Sequence, residues 1–308
     1  MIPPQLDPRL TRLLSEPGVS DVLLSGTSGC WVSRGAKLEA RPTPFAEVGD
    51  LERLAVELVS AGGRRLDAAQ PFADVVVGDV RIHAFLKSAS SANTQVSIRY
   101  LGERPRPLTE LAEQGMFSRA VLDGLQQMMA SRDNFLICGP TGAGKTTLLR
   151  ALMLECGEQR VITIEDLPEL RLGGASVPLL ARQANIEGQG AIGLDRLLVE
   201  SLRMRPDRIV VGELRSTELL VLLQALNTGH SGSGATLHAN SLASVPARLH
   251  AIGILAGVTP QQLDPLLLSS IKWVIQVGFA QSSGKRQILA IGQFCLSGGQ
   301  LAVSELAR

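Results

Sequence analysis

Residues 139–146 read GPTGAGKT, and the four residues before them read FLIC. An apolar strand that runs into G-x-x-x-x-G-K-[ST] and then into a helix restricts the fold more than any other feature of the chain. The glycines let successive backbone N–H groups converge on phosphate oxygens. The helix that follows adds the positive end of its dipole, and a helical pattern runs here from Lys145 to Glu155. The motif makes Gly139, Pro140, Thr141, Gly142, Ala143, Gly144, Lys145, Thr146 and Thr147 candidate nucleotide-binding residues. Lys145 would bridge the outer phosphates, and the Thr146 hydroxyl would ligate Mg2+.

The chain after this loop has the rhythm that such a loop requires. RVITI (160–164), RIVVG (208–212) and GATLHA (234–239) are strand patterns, and LDRLLVESLRMR (194–205) and STELLVLLQALN (216–227) are helical. Continuously apolar strands alternating with helices predict an α/β domain, a parallel sheet with helices on both faces. LLLSSIKWVIQVGFA reads as a helix end plus a strand, and the last residues as closing strands.

The first hundred residues differ. DVLLS (21–25), CWVSR (30–34), DVVVG (74–78), RIHAFL (81–86) and TQVSIRY (94–100) are short strands bounded by Gly, Ser and Asp. Between them FAEVGDLERLAVELVSAGG (45–63) is a helix stopped by a glycine pair. LGERPRPLTE (101–110), with two prolines and mixed charge, reads as a linker. The expected organisation is a smaller α+β domain over 1–100, the linker over 101–110 and the α/β domain over 111–308.

A net charge of +1 and 3% aromatic residues argue against a dedicated nucleic-acid binder, which needs basic surface and stacking platforms. Cys30, Cys138, Cys156 and Cys295 show no metal spacing and fit a reducing compartment. MIPPQLDPRL has no signal-peptide core. No apolar run without a charge reaches the roughly 18 residues that a bilayer span needs. The expectation is a cytoplasmic protein that reaches a membrane only through partners.

Hydrolysis needs carboxylates to hold Mg2+ and orient water. TIEDLPEL (163–170) offers Glu165, Asp166 and Glu169 after a strand, and RIVVGELR (208–215) offers Glu213. Gly212 stands where a usual Walker B strand has Asp. No N-K-x-D sequence is present to read guanine, which favours ATP. TGHSGSGATLHAN (228–240) holds two of the four histidines, His230 and His238, with no third ligand at zinc spacing.

NFLICGPTGAGKTTLLRAL, RVITIEDLPEL, LRMRPDRIVVGELR and LLQALNTGHSGSGATLHAN, in that order, resemble the four signatures of the secretion and pilus-assembly ATPases. The nearest resemblance is to the TadA/CpaF branch, the motor of tight-adherence pili. It implies a RecA-like P-loop ATPase domain preceded by a PAS-like N-terminal domain, with ATP and Mg2+ held between the two. It also implies a homo-hexamer working on inner-membrane platform proteins, with no nucleic acid. Glu169 resembles the last glutamate of the family's aspartate box, which positions the attacking water. Glu213 resembles the Walker B glutamate, which acts on Mg2+ and the water. His230 and His238 resemble the histidine box near the γ-phosphate. His230 is expected to face the nucleotide more directly, and His238 to serve fold geometry on a buried strand. The small residues between them are expected to let that segment shift. Arg81 and Arg99, with no obvious local partners, match arginines that reach the phosphates when the N-terminal domain closes; Arg104 and Arg106 are weaker candidates. One departure is the lack of the four-cysteine zinc module of type II motors, since the late region holds only Cys295. Two rival readings are a RecA-like nucleic-acid motor, such as a helicase, and a P-loop kinase for a small metabolite.

Overall fold

The structure is a computed structural model that describes residues 6–34, 37–47, 49–88, 90–101, 105–182, 184, 189–281 and 283–306. The chain divides into two compact units, Met1–Arg104 and Pro105–Arg308.

The first unit is one antiparallel sheet with helices. Its elements are α1 (Pro8–Leu14), β1 (Val19–Ser25), β2 (Gly29–Arg34), β3 (Lys37–Arg41), α2 (Asp50–Ala61), β4 (Phe72–Val77), β5 (Val80–Phe85) and β6 (Gln95–Tyr100). The strand order is β3-β2-β1-β6-β5-β4. Alternate residues such as Val22 and Leu24, Ile82 and Ala84, and Val96 and Ile98 turn inward. α2 covers them with Leu51, Leu54, Ala55, Leu58 and Val59, the spacing of one helical face.

The second unit opens with α3 (Leu108–Glu113) and α4 (Arg119–Ala130), so the last three residues of the expected linker are the first of a helix. There follow β7 (Phe135–Cys138), α5 (Lys145–Leu154), β8 (Val161–Glu165), β9 (Val177–Leu180), α6 (Leu194–Ser201), β10 (Arg208–Val211), α7 (Glu218–Asn227) and β11 (Gly234–Leu237). The chain ends with α8 (Val245–Leu255), α9 (Pro260–Ser270), β12 (Trp273–Phe279), β13 (Arg286–Ser297) and β14 (Gln300–Glu305). The sheet order is β14-β13-β12-β7-β11-β10-β8-β9. From β12 to β9 neighbouring strands are parallel, whereas β13 and β14 join antiparallel at one edge. The sheet is therefore mixed rather than wholly parallel: a tight reversal returns β13 against β12, and no crossover helix is needed for an antiparallel neighbour.

Every residue of β7, β8, β10 and β11 is buried. Period-two alternation explains this. Leu136, Cys138, Ile164, Ile209 and Leu237 pack into one core with α7, α8 and α9, while Phe135, Ile137, Val161 and Val210 pack into another with α3, α4 and α5. Among the described residues no helix is long and apolar enough to cross a membrane.

Candidate active site

Parallel register brings the C-terminal ends of four strands to one edge. Cys138 pairs with Leu237, Ala235 with Val211, and Val211 with Ile164. The segments leaving that edge carry the P-loop, His238, Glu213 and the turn from Glu165 to Glu169.

The P-loop follows β7. Gly139 has φ 152°, and a Cβ there would lie 2.2 Å from the Val277 carbonyl oxygen, so only glycine fits. Gly144 takes φ 99° at the N-terminus of α5, a conformation that costs glycine little. Lys145 is buried, and its Nζ donates to the carbonyl oxygens of Gly139 (2.9 Å) and Pro140 (3.0 Å). The same Nζ lies 3.2 Å from His238 Nδ1. His238 Nε2 lies 2.9 Å from Glu213 Oε1. An ammonium only donates, so Nδ1 accepts and Nε2 carries the hydrogen given to Glu213. Burial holds this imidazole below its ordinary pKa; Glu213 opposes that, and Lys145, Arg215 and Arg248 add to it. These effects favour the neutral ring.

Glu213 is also bound by Arg215, whose Nε donates to Oε2 at 2.9 Å. Arg215 Nη1 reaches Asp166 Oδ2 at 2.7 Å, tying the end of β10 to the turn after β8. Sequence reasoning did not single out Arg215; its only signal was a basic residue two positions past Glu213.

The acidic turn after β8 holds three different carboxylates. Asp166 is exposed, Glu169 is half-buried and Glu165 is 4% exposed. Glu165 Oε1 accepts from the backbone N–H groups of Leu170 (2.9 Å) and Glu169 (3.1 Å). Burial pushes the Glu165 carboxyl up to about 8, against the pull of those two N–H groups. A Cβ at Gly212 would stand 3.0 Å from Glu165 Cγ, which gives a local reason for glycine where Asp is usual.

Three expectations need correction. His230 does not join this edge: it precedes β11, at the opposite end of the strand from His238, and its Nδ1 lies 3.1 Å from the Ala225 carbonyl oxygen. His238 lies just past β11 and is the histidine between Lys145 and Glu213, whereas the expectation put His230 nearer the nucleotide. The small residues between them pack closely rather than leaving room. Ser233 is fully buried and accepts at Oγ from Ile209 N–H, and its N–H donates to Asn134 Oδ1. A Cβ at Gly234 would lie 2.5 Å from the Phe135 ring. Third, Arg81 and Arg99 do have local partners, Asp74 at 2.6 Å and Asp21 at 2.7 Å. They face each other across β5 and β6 in the first unit. Arg106 donates to Gln114 Oε1 at 2.8 Å, and Arg104 lies outside the described residues.

This is a mixed α/β protein with a P-loop at the carboxyl edge of its sheet. The sequence profile of the type II/IV secretion system protein family matches residues 6–285, and the chain belongs to that family. A putative conjugal transfer protein of Mycobacterium tuberculosis is 40% identical over 291 residues, spanning 92% of this chain and 82% of that protein. A probable conjugal transfer protein TrbB of Sinorhizobium fredii is 32% identical over 226 residues, 70% of this chain and 67% of its own. The crystal structure of the pilus retraction motor PilT with bound ADP superposes with a TM-score of 0.63 at 22% identity, over 100% of this chain and 84% of that one, which shows a shared fold.

Proposed function

We propose that this chain is an ATP hydrolase that works as a homo-hexameric motor on inner-membrane platform proteins of a pilus or secretion system, at the cytoplasmic face of that membrane. The observation that carries this reading is the contact from Lys145 Nζ through His238 to Glu213, on the edge where the P-loop ends. Family membership supports the motor role. The tight-adherence branch rests on the motifs alone, while the relatives bear conjugal-transfer names. Disrupting the gene and scoring pili against DNA transfer separates the two.

Residues 111–308 are read as the RecA-like domain and 1–100 as PAS-like, joined through 101–110. In this reading Gly139 to Thr147 cradle the phosphates through backbone N–H groups and the N-terminus of α5. Lys145 exchanges the Gly139 and Pro140 carbonyl oxygens for phosphate oxygens. The Thr146 hydroxyl and the Glu213 carboxylate are hard oxygen donors that suit Mg2+, which keeps several waters. When bound, Mg2+ offsets charge on the phosphate oxygens. Glu169 and Glu213 orient the attacking water, and His238 passes a hydrogen bond between Glu213 and the region of the outer phosphate. His230 remains in the family's histidine box without a direct part. Arg81 and Arg99 stabilise transition-state charge after leaving their aspartates.

The test is Mg2+-dependent ATPase activity of the purified chain. Lys145→Ala is expected to abolish tight ATP binding. Glu213→Gln and Glu169→Gln are expected to bind ATP and lose about 100-fold or more in rate, the scale of losing one such group. Parental turnover in Glu213→Gln removes the assignment. Stimulation by DNA or RNA would favour a RecA-like nucleic-acid motor instead.

A further inference from the structure

The hydrolysis scheme leaves one buried acid of this edge unused. Glu165 ends β8, and its Oε2 is enclosed with no hydrogen-bond partner among the described residues. Its Oε1 holds the backbone N–H groups of Glu169 and Leu170. The space for it exists because residue 212 is glycine, where a Cβ would come within 3.0 Å of Cγ and 3.6 Å of Oε1. The charged groups acting on it are Arg150 on α5, and Glu169 and Arg171 on the turn that follows.

We propose that Glu165 is a positioning residue for hydrolysis: its carboxyl, seated against Gly212, clamps the backbone turn that carries Glu169 and so fixes where the Glu169 carboxylate stands. This rests on the reading of Glu169 as a water-positioning carboxylate. The clamp needs an acceptor oxygen and no charge. A neutral acid supplies the acceptor without adding a third anion beside Glu169 and Glu213, and burial keeps Glu165 neutral near pH 7. Gly212 then serves the aspartate-box turn as well as the Walker B strand. A larger side chain there would push Glu165 off the two N–H groups it holds.

The experiment compares the parent with Glu165→Gln and Glu165→Leu. Gln keeps shape, neutrality and the acceptor; Leu keeps volume and loses the acceptor. Amide hydrogen exchange of the nucleotide-free chain is read at Glu169 and Leu170, and kcat and KM for MgATP are measured beside it. In Glu165→Gln both amides are expected to stay protected and kcat to remain within about threefold of parental, since an isosteric neutral swap keeps the bond. In Glu165→Leu those amides are expected to exchange about tenfold faster or more, and kcat to fall by a similar factor with KM unchanged, because a misplaced catalytic group raises the barrier without weakening binding. Parental protection or parental kcat in the Leu variant overturns the proposal. So does a Glu165→Gln variant that keeps both amides protected yet loses kcat, which would give the carboxyl a chemical role. If Leu unfolds the second unit, seen as lost protection across β8 and β10, Gly212→Ala carries the test: selective loss at Glu169 and Leu170 is expected, and parental protection there refutes the clamp. The exchange result is independent of the Glu169 reading, which fails separately if Glu169→Gln turns over at the parental rate.

Discussion

His238 stands between Lys145 and Glu213, and its two nitrogens have fixed roles there. Removing it frees Lys145 and Glu213 from their shared partner. His238→Ala is expected to lower kcat by about 100-fold, the lower end of what a positioned proton-sharing group contributes. His230→Ala should leave kcat within about twofold and cost about 1 kcal/mol of stability, one hydrogen bond to the Ala225 carbonyl. Steady-state ATPase assays on the two variants check this, and a catalytic loss in a folded His230→Ala would contradict the placement. The motif named both histidines and His230 was expected to face the nucleotide, but spacing alone does not fix which one lies by the loop. That depends on the direction in which β11 pairs, and four strand residues put its two ends on opposite edges of the sheet. Glu165 makes a second residue-scale prediction. Its carboxyl is raised from an ordinary 4.5 to about 8, so between those values the folded chain keeps a proton that the unfolded chain has released. Stability from this group is full below about pH 4.5 and falls by up to about 1.4 kcal/mol per pH unit until it levels off above 8. Glu165→Gln should lose that slope in urea unfolding at roughly pH 5.5, 6.5 and 7.5, and a parent-minus-variant difference that stays constant would mean the carboxyl is ionised in the fold.

Elements were legible in proportion to how strongly burial patterned them. FLIC is a strand as read, and α5 begins on Lys145, because a strand, loop and helix of this kind leave little freedom. In the first unit the pleated strands with alternating Val and Ile were readable for the same reason. β3 was not seen: KLEAR has no buried residue, so it carries no apolar alternation, and it joins β2 through its backbone and an ion pair between Arg34 and Glu39. β9 was missed because Pro178 demotes VPLL on paper, yet proline is tolerated there, since β9 is an edge strand. α4 was not read from the sequence; it starts after Ser118, whose side chain accepts from Val121 N–H. The glycines of the histidine segment were misread as hinges because flexibility and close packing leave the same mark in a sequence. Only the neighbours, Phe135 against Gly234 and Arg208 against Gly232, distinguish them.

At the scale of the whole chain, the rhythm of the sequence changes near residue 100, and the chain divides into Met1–Arg104, with one set of buried residues, and Pro105–Arg308, with two. Strand order was not legible, since pairing β7 with both β11 and β12 joins segments far apart in sequence through contacts that periodicity does not encode. Assembly lies one step further out. Arg81 and Arg99 bind Asp74 and Asp21 in the single chain, so the proposed role requires a competing anion with more charge than one carboxylate. In the proposed reading, the phosphates of ATP offer that. The expected outcome is a particle of six times the 32.7 kDa chain mass in MgATP, most populated in Glu213→Gln, where the nucleotide is not consumed. Mass photometry on dilute samples, with light scattering at tens of micromolar, measures it. Arg81→Ala and Arg99→Ala should keep the ring mass and lower kcat more than they raise KM, because charge supplied on closure acts on the barrier more than on the bound ground state. A strictly monomeric mass with MgATP at the higher concentration would refute the ring. An unchanged kcat with raised KM would leave the two arginines as nucleotide holders only.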